Sequence, residues 1–330
     1  MKLCKVYGLD DARDADPLWQ ELLLAMSPDW KSHGGALHRK YWEWGLGLYG
    51  LHKLGFIRPD AVALGVGAGV EWPLFYLANQ LRMVHATDLY SPQSYFQGLD
   101  PTIPGNAAKL APFPYRTESL VFQKMDALDL QFEDDTFDFV FTFSSIEHFG
   151  GHAGAVLAMQ EIARVLKPGG VACVATELIL AGPDHHEFFK AADFEPCFGA
   201  GSGLEFVEPL DLSVDAELVS NPVVFEVAPG FQGYTGPHTS VRCGDLTFTS
   251  IEFFLRKPAN WQPASRARIA ALRARMHGGN VAYRTRLRAA GLAHRVRLHS
   301  SSLVRGAARM VPPRVRRNLK KLLRRSPASP

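Results

Sequence analysis

Apolar residues recur along this chain with two periods, and the switch between them marks out the elements. Within residues 36–54, Tyr41, Trp42, Trp44, Leu48 and Leu51 are spaced as on a helix, and residues 18–26 form a shorter apolar segment. Residues 1–60 therefore predict a helical lid packed on a sheet, with His38, Arg39, Lys40 and Glu43 as its notable polar side chains. Short continuous apolar runs come next, at 61–66, 83–90, 120–127, 137–145 and 171–176, as expected of strands buried on both faces. Helical patterns separate them. In one, Val156, Met159, Ile162, Val165 and Leu166 share a face, and Lys167-Pro168-Gly169-Gly170 stops it. Strands alternating with helices predict a doubly wound, mostly parallel sheet, an α/β fold. Residues 204–208 and 247–255 would close it as sixth and seventh strands, antiparallel at the edge.

The first buried run leads into Gly65-Val66-Gly67-Ala68-Gly69 and then a helical pattern containing Pro73. Such a turn brings backbone N–H groups and the positive end of a helix close to a ligand, because no Cβ stands in the way. Proline is tolerated in the first helical turn. The dinucleotide fingerprint wants a small residue at its sixth position, where this chain has Val70, so an NAD reading is disfavoured. About twenty residues on, the second strand ends in Asp88, a spacing that suits hydrogen bonding to a ribose diol. The proline-punctuated stretch 91–119 reads as a loop long enough to be a flap.

Charge divides the chain. Of 36 Lys and Arg, 18 lie beyond residue 260, where there is no Asp or Glu; the remaining residues hold 18 basic against all 33 acidic ones, a net of −15. An acidic body, residues 61–258 with its lid, thus carries a basic tail, residues 259–330. Near its end, Val315, Leu319, Leu322 and Leu323 fall on one helical face and the other face is cationic, as in an interfacial helix at an anionic membrane. Attraction to RNA is the less favoured reading of the same charge. No apolar run approaches the ~18 residues that span a bilayer, and the start of the chain lacks a secretory layout. Cys4, Cys173, Cys197 and Cys243 show no paired spacing and suit reduced thiols. The expected location is cytoplasmic, with peripheral attachment at the inner membrane face through the tail.

Taken together, Gly65-x-Gly67-x-Gly69, Asp88, Asp126-Ala127, Phe137-Asp138 through Ser144-Ser145-Ile146-Glu147-His148, and Arg164-Val165-Leu166-Lys167-Pro168-Gly169-Gly170 resemble the class I S-adenosylmethionine-dependent methyltransferases, in their small-molecule branch, over roughly residues 60–258. The resemblance implies a Rossmann-like seven-stranded sheet and S-adenosyl-L-methionine as cofactor. It also implies that the glycines approach the methionine part, Asp88 holds the ribose hydroxyls, Asp126 accepts from the adenine amino group beside Ala127, and Ser144 lines the cofactor near the methyl group. Family members carry an acidic residue two positions before the first glycine, where this chain has Ala63; Glu71 is the candidate to compensate.

Methyl transfer is an in-line displacement in which positioning supplies much of the rate, and a hydroxyl acceptor also profits from a general base. His148, with Glu147 beside it, is the first candidate, followed by His185 and His186 of Asp184-His185-His186-Glu187, then His238. A Glu–His pair also serves as metal ligand in similar quinone-biosynthesis O-methyltransferases, but the third ligand position is Ser144 here, so no metal is expected. The expected activity is O-methylation of a small hydroxylated acceptor such as a surface-glycan precursor. RNA methylation using the tail and a non-catalytic cofactor-binding module are the alternatives.

Overall fold

In the computed structural model the described residues are 1–8, 16–26, 38–90, 102–224 and 239–279. His238, the first part of the 91–119 stretch and the tail beyond residue 279 lie outside them. The sheet is built outward from β2 (Val62–Val66), which is buried at every position. It runs parallel to β3 (Met83–Asp88) on one side and β5 (Phe137–Phe143) on the other. β4 (Leu120–Lys124) extends the sheet parallel beyond β3, and β6 (Leu166–Ala181) lies parallel beyond β5. β10 (Leu246–Arg256) then pairs antiparallel with β6. Phe137, Phe139, Phe141 and Phe143 are each at most 1% exposed, as a strand sandwiched between two helical layers requires.

The expected seven strand positions are present, but the seventh is shared. Along β10, Leu246–Thr249 pairs with β9 (Ser240–Cys243), Ile251 and Glu252 with β1 (Lys5–Val6), and Leu255 and Arg256 with β7 (Glu205–Phe206). The two-residue β8 (Val223–Val224) adds to β9, so ten strands take part among the described residues. The chain's beginning is therefore a strand and not the helix expected across residues 1–60. The long edge of β10 leaves backbone groups that need partners, and Cys4, Val6 and Tyr7 bury their side chains by supplying them.

Helix α1 (Pro17–Met26) and α2 (Arg39–Lys53) form the remainder of the N-terminal extension. α2 lies on the sheet at close range: a Cβ on Gly47 would stand 2.6 Å from the Phe143 ring and 2.8 Å from Glu252 Oε1. Only glycine permits that approach, and it brings the first turn of α2 over the carboxyl ends of β5 and β6. α3 (Trp72–Gln80) succeeds the glycine turn, with Pro73 in its first turn. α4 (Gly151–Val165) buries Val156, Met159, Ile162 and Val165, the predicted stripe. Leu166 belongs instead to β6, whose pairing shifts register over the Lys167-Pro168-Gly169-Gly170 segment. β6 also runs five residues past the expected end at Thr176, because β10 keeps pairing with it as far as Ala181.

Residues 259–279, grouped with the tail by charge, pack on α4. Trp261 donates from Nε1 to Ser202 O at 2.8 Å, and the Ala264 amide donates to Gln160 Oε1 at 2.9 Å. A final described helix, 266–279, keeps Ile269, Leu272 and Met276 half-buried at helical spacing. Met1–Gly279 is one compact unit.

Candidate active site

Ligands of open α/β sheets bind beyond the carboxyl ends of the strands. Here β2 ends in the glycine turn, where Gly67 has φ +63° and Gly69 φ +48°. A Cβ on Gly67 would come within 2.7 Å of the Phe149 ring and 2.8 Å of Ser145 Cβ, so the turn packs directly against the segment after β5. Ser145 ties the two together by donating from Oγ to Gly67 O at 2.8 Å. The Gly69 amide donates to Asp88 Oδ2 at 3.1 Å and the Leu89 amide to Asp88 Oδ1 at 2.7 Å. Each Asp88 oxygen is thereby fixed, and the Tyr90 amide also bonds to the carboxylate. Burial raises the Asp88 pKa despite these bonds. Asp126 is exposed two residues beyond β4, accepts from the Leu128 amide at 2.9 Å, and is followed by the buried Ala127. Ser144 sits at φ +50°, a conformation costly for a residue with a Cβ, and its buried Oγ has no hydrogen-bond partner among the described residues.

Beside this turn lies a second, wholly polar cluster. Lys40, from the first turn of α2, donates to Phe143 O and Glu43 Oε2, both at 3.0 Å, and stands 3.2 Å from Glu71 Oε1. Glu71 occupies the N-cap position of α3 without capping it. Its carboxyl is drawn inward, and burial pushes its pKa up to about 7 against the pull of Lys40. Arg39 is paired with Glu177 of β6 and donates to Ser250 Oγ of β10 at 3.1 Å; Ser250 in turn donates to Glu43. Glu177 and Ser250 are direct cross-strand partners, which is why the two reach α2 together. Burial raises Glu177 to about 7, opposed by Arg39 and reinforced by the charges of Glu147 and Glu43.

His148 stands in a tight turn, Ile146–His148, just past β5. Its Nδ1 is 3.5 Å from Glu187 Oε2 and its Nε2 is 3.9 Å from Glu147 Oε1. Burial works against the charged ring, but the two carboxylates outweigh it and raise the His148 pKa. Glu147 is fully buried, accepts from Thr176 Oγ1 at 2.9 Å through Oε2, and has its own pKa raised by burial. One oxygen each of Glu71, Glu147 and Glu177, and the Arg39 Nε, are buried with no hydrogen-bond partner among the described residues. No group of three or more His, Cys, Asp or Glu among the described residues is arranged to hold a metal ion.

Residues 64–174, from the glycine strand to the middle of β6, match the family model described as a methyltransferase domain. The chain's central domain is that of an S-adenosylmethionine-dependent methyltransferase. Among solved structures the chain is similar to the [4+2]-cyclase SpnF, with 19% identity, a TM-score of 0.46, and 73% of this chain and 96% of that one covered. It is also similar to phosphoethanolamine N-methyltransferase 2 of Haemonchus contortus in complex with S-adenosyl-L-methionine, with 16% identity, a TM-score of 0.42, and coverage of 77% and 60%. A third likeness is to a SAM-dependent methyltransferase from Aquifex aeolicus, with 14% identity, a TM-score of 0.38, and coverage of 72% and 98%. The methyltransferase's cofactor is S-adenosyl-L-methionine. The glycine turn that a Cβ would fill, the Asp88 carboxylate at the end of β3 and the unpaired hydroxyl of Ser144 fit a ligand carrying both hydroxyls and a charged end.

Of the histidines in the Asp184 to Glu187 segment of this methyltransferase, neither is the residue that reaches His148. His185 accepts on Nδ1 from the Glu187 and Phe188 amides, each at 3.2 Å, and its pKa is lowered by burial. His186 backs onto the start of α4, where its carbonyl would meet a Cβ on Gly151 at 2.5 Å. Asp184 is exposed and paired with Lys190. It is Glu187 that reaches His148. Sequence reasoning passed over Glu177, Ser250 and Glu252. The available signal was a carboxylate inside each of two otherwise apolar strand runs, since a charge there needs a partner from the layer above.

Proposed function

We propose that the enzyme transfers the methyl group to an oxygen of a small hydroxylated acceptor, such as a surface-glycan precursor, with His148 as general base. The carrying observation is the ring of His148 held between Glu187 at Nδ1 and Glu147 near Nε2, at the end of the strand that abuts the glycine turn. A carboxylate on Nδ1 favours the tautomer with the proton there, which leaves Nε2 to take a proton from the acceptor. The flanking carboxylates raise the His148 pKa and so make the ring a stronger proton acceptor. Toward the cofactor, Gly65, Gly67 and Gly69 would give backbone room, Asp88 would take the ribose hydroxyls, Asp126 and Ala127 the adenine edge, and Ser144 would face the methyl group. Glu71, with an unpaired buried oxygen, would answer the cofactor's amino group in place of the absent acid at Ala63. The bound cofactor supplies an electrophilic methyl on a sulfonium; the chain supplies position, dryness and a proton acceptor. Release of S-adenosylhomocysteine in the presence of hydroxylated acceptors, with none from matched amines, is the expected result; turnover on amines alone refutes the oxygen assignment.

A second part of the reading concerns location. Among the described residues no helix is long and apolar enough to cross a membrane. The charge of the sequence beyond Gly279, with Leu319, Leu322 and Leu323 interspersed among basic residues at helical spacing, supports attachment to an anionic bilayer surface. The full chain should co-sediment with anionic vesicles, and a chain ending at Gly279, the limit of the compact unit, should remain in solution. Equal sedimentation of both rules the tail out. RNA would compete for the same charge, so retention of the full chain on RNA but not on vesicles would favour nucleic acid instead.

A further inference from the structure

We infer that Arg39, Glu147 and Glu177 are the polar floor of the acceptor site, and that the acceptor meets them with at least two hydroxyls, as a sugar or other polyol does. This rests on the proposed oxygen transfer and goes beyond it by assigning the residues that select the acceptor. Three separate elements deliver these side chains: the first turn of α2, the turn after β5, and β6. Each carboxylate has one oxygen held by a hydrogen bond and one that accepts none among the described residues, the latter in Glu147 standing beside His148. Glu177 Oε1 is bound by Arg39, and Glu147 Oε2 by Thr176 at 2.9 Å, while Glu177 Oε2 and Glu147 Oε1 have no hydrogen-bond partner among the described residues. Glu147 is 0% and Glu177 4% exposed, so water does not cover these acceptors freely, and a buried acceptor left unpaired is costly. The free Glu147 oxygen points toward the catalytic ring, 3.9 Å from His148 Nε2.

The unsatisfied atoms decide what kind of group fits. They include a donor, the buried Nε–H of Arg39, as well as the two carboxylate oxygens. A hydroxyl both donates and accepts, so a polyol can satisfy all three. An ammonium only donates and would leave the Arg39 Nε unpaired. An anion would accept from Arg39 but would face the two carboxylates. The nearby charges already offset one another in part, with Arg39 and Lys40 set against Glu43, Glu71, Glu147 and Glu177. A neutral ligand leaves that balance as it stands. A hydroxyl donating to Glu147 Oε1 would lie beside His148 Nε2, so the binding contact and the proton transfer would fall at one end of the acceptor.

The test is binding, not turnover. The full chain, saturated with S-adenosylhomocysteine, is titrated with a set of methyl hexopyranosides, with tetrahydropyran as the ring without hydroxyls, and with ethylamine and cyclohexylamine as ammonium probes. Wild type should bind at least one glycoside and neither tetrahydropyran nor the amines. Glu177→Gln and Glu147→Gln should each weaken glycoside binding tenfold or more while S-adenosylhomocysteine affinity stays within twofold, which also reports that the fold is intact. Glu177→Asp, which keeps the charge but withdraws the oxygens, should fall between if Glu177→Gln proves unstable. Glycosides bound equally by wild type and all variants would overturn the assignment of these residues yet leave oxygen transfer standing. Amines bound in preference to glycosides would overturn both. Binding of neither class by wild type would overturn the polyol assignment.

Discussion

The two ends of the same sheet treat buried charge in opposite ways. At the amino ends of the strands, Asp138 of β5 has every oxygen matched. Arg58 holds Oδ1 at 2.7 Å, and the Val62 amide and Lys167 hold Oδ2 at 2.8 and 2.9 Å. Nearby, Arg164 satisfies Glu161, Asp134 and the carbonyls of Leu130 and Phe132, and Lys257 pairs with Asp135. At the carboxyl ends, Glu71, Glu147 and Glu177 each keep a buried oxygen without a partner among the described residues. The pKa directions agree: burial raises Glu71, Glu147 and Glu177, whereas at Asp138 burial is outweighed by the Val62 amide, Lys167 and Arg58, and its pKa falls. Saturated charge holds a fold together; unsaturated charge is kept where something else is to bind.

The largest expected effect lies at the unsaturated end. His148→Ala should lower turnover by ~10²–10⁴-fold and leave S-adenosylhomocysteine binding, measured by calorimetry, unchanged. Full activity in that variant would pass the base role to Glu147, His185 or His186. The saturated end should answer in stability and not in rate. Asp138→Ala removes three charge-assisted bonds, but Arg58 and Lys167 are 39% and 41% exposed, so water screens much of the gain. The expected loss is about 2–3 kcal/mol in denaturant unfolding, with turnover per folded molecule preserved. A stable but inactive Asp138→Ala would erase the contrast between the two ends.

Between them stands Asp88, whose carboxylate accepts from backbone amides. Asp88→Ala should weaken cofactor affinity by about ten- to a hundredfold, the loss typical of ~1.5–3 kcal/mol for a charged hydrogen-bond partner. Unaltered affinity in a folded variant would remove Asp88 from the cofactor site and sharpen the contrast to the Glu and His cluster alone.

Much of the sheet was legible because a parallel strand buried on both faces has to be apolar throughout, and Ala61-Val62-Ala63-Leu64 and Phe137 to Phe143 meet that demand without tertiary information. The turn after β2 and the end of β3 at Asp88 were legible as positions from short-range sequence pattern alone. What was not legible is the seventh strand position, where three short pieces from residues 5–6, 205–206 and 240–243 line up only because β10 is long enough to seat them. The polar cluster was half hidden for a related cause. Arg39, Lys40 and Glu43 stand out in a helix, but Glu177 and Ser250 become neighbours only through the register of β6 on β10. Glu71 could be placed at the start of α3 and not turned: its inward direction depends on Lys40, which comes from another layer.

That inward turn gives a test of the sign. Glu71 carries an ordinary carboxyl pKa of 4.5 in the unfolded chain and one raised to about 7 in the fold. Between those values the folded state holds a proton that the unfolded state has lost. Stability then declines as pH rises through that window, the reverse of the usual carboxylate pair. Asp138 runs the other way: its lowered pKa contributes stability above its ordinary value of 3.8 that is lost as the pH falls through the folded value. Glu71→Gln cannot titrate, and its amide keeps an acceptor for Lys40. Unfolding free energies of wild type and Glu71→Gln should therefore diverge from pH 5 to pH 8, the variant gaining by about 2–3 kcal/mol relative to wild type, as a shift from 4.5 to about 7 requires. Glu177, raised in the same sense, remains in both proteins and drops out of the difference if the two sites are independent. Saturation with S-adenosylhomocysteine should shrink the divergence, since its ammonium would favour the charged form of Glu71. A divergence of opposite sign would mean that Lys40 outweighs burial and that Glu71 belongs with the saturated carboxylates at the other end of the sheet.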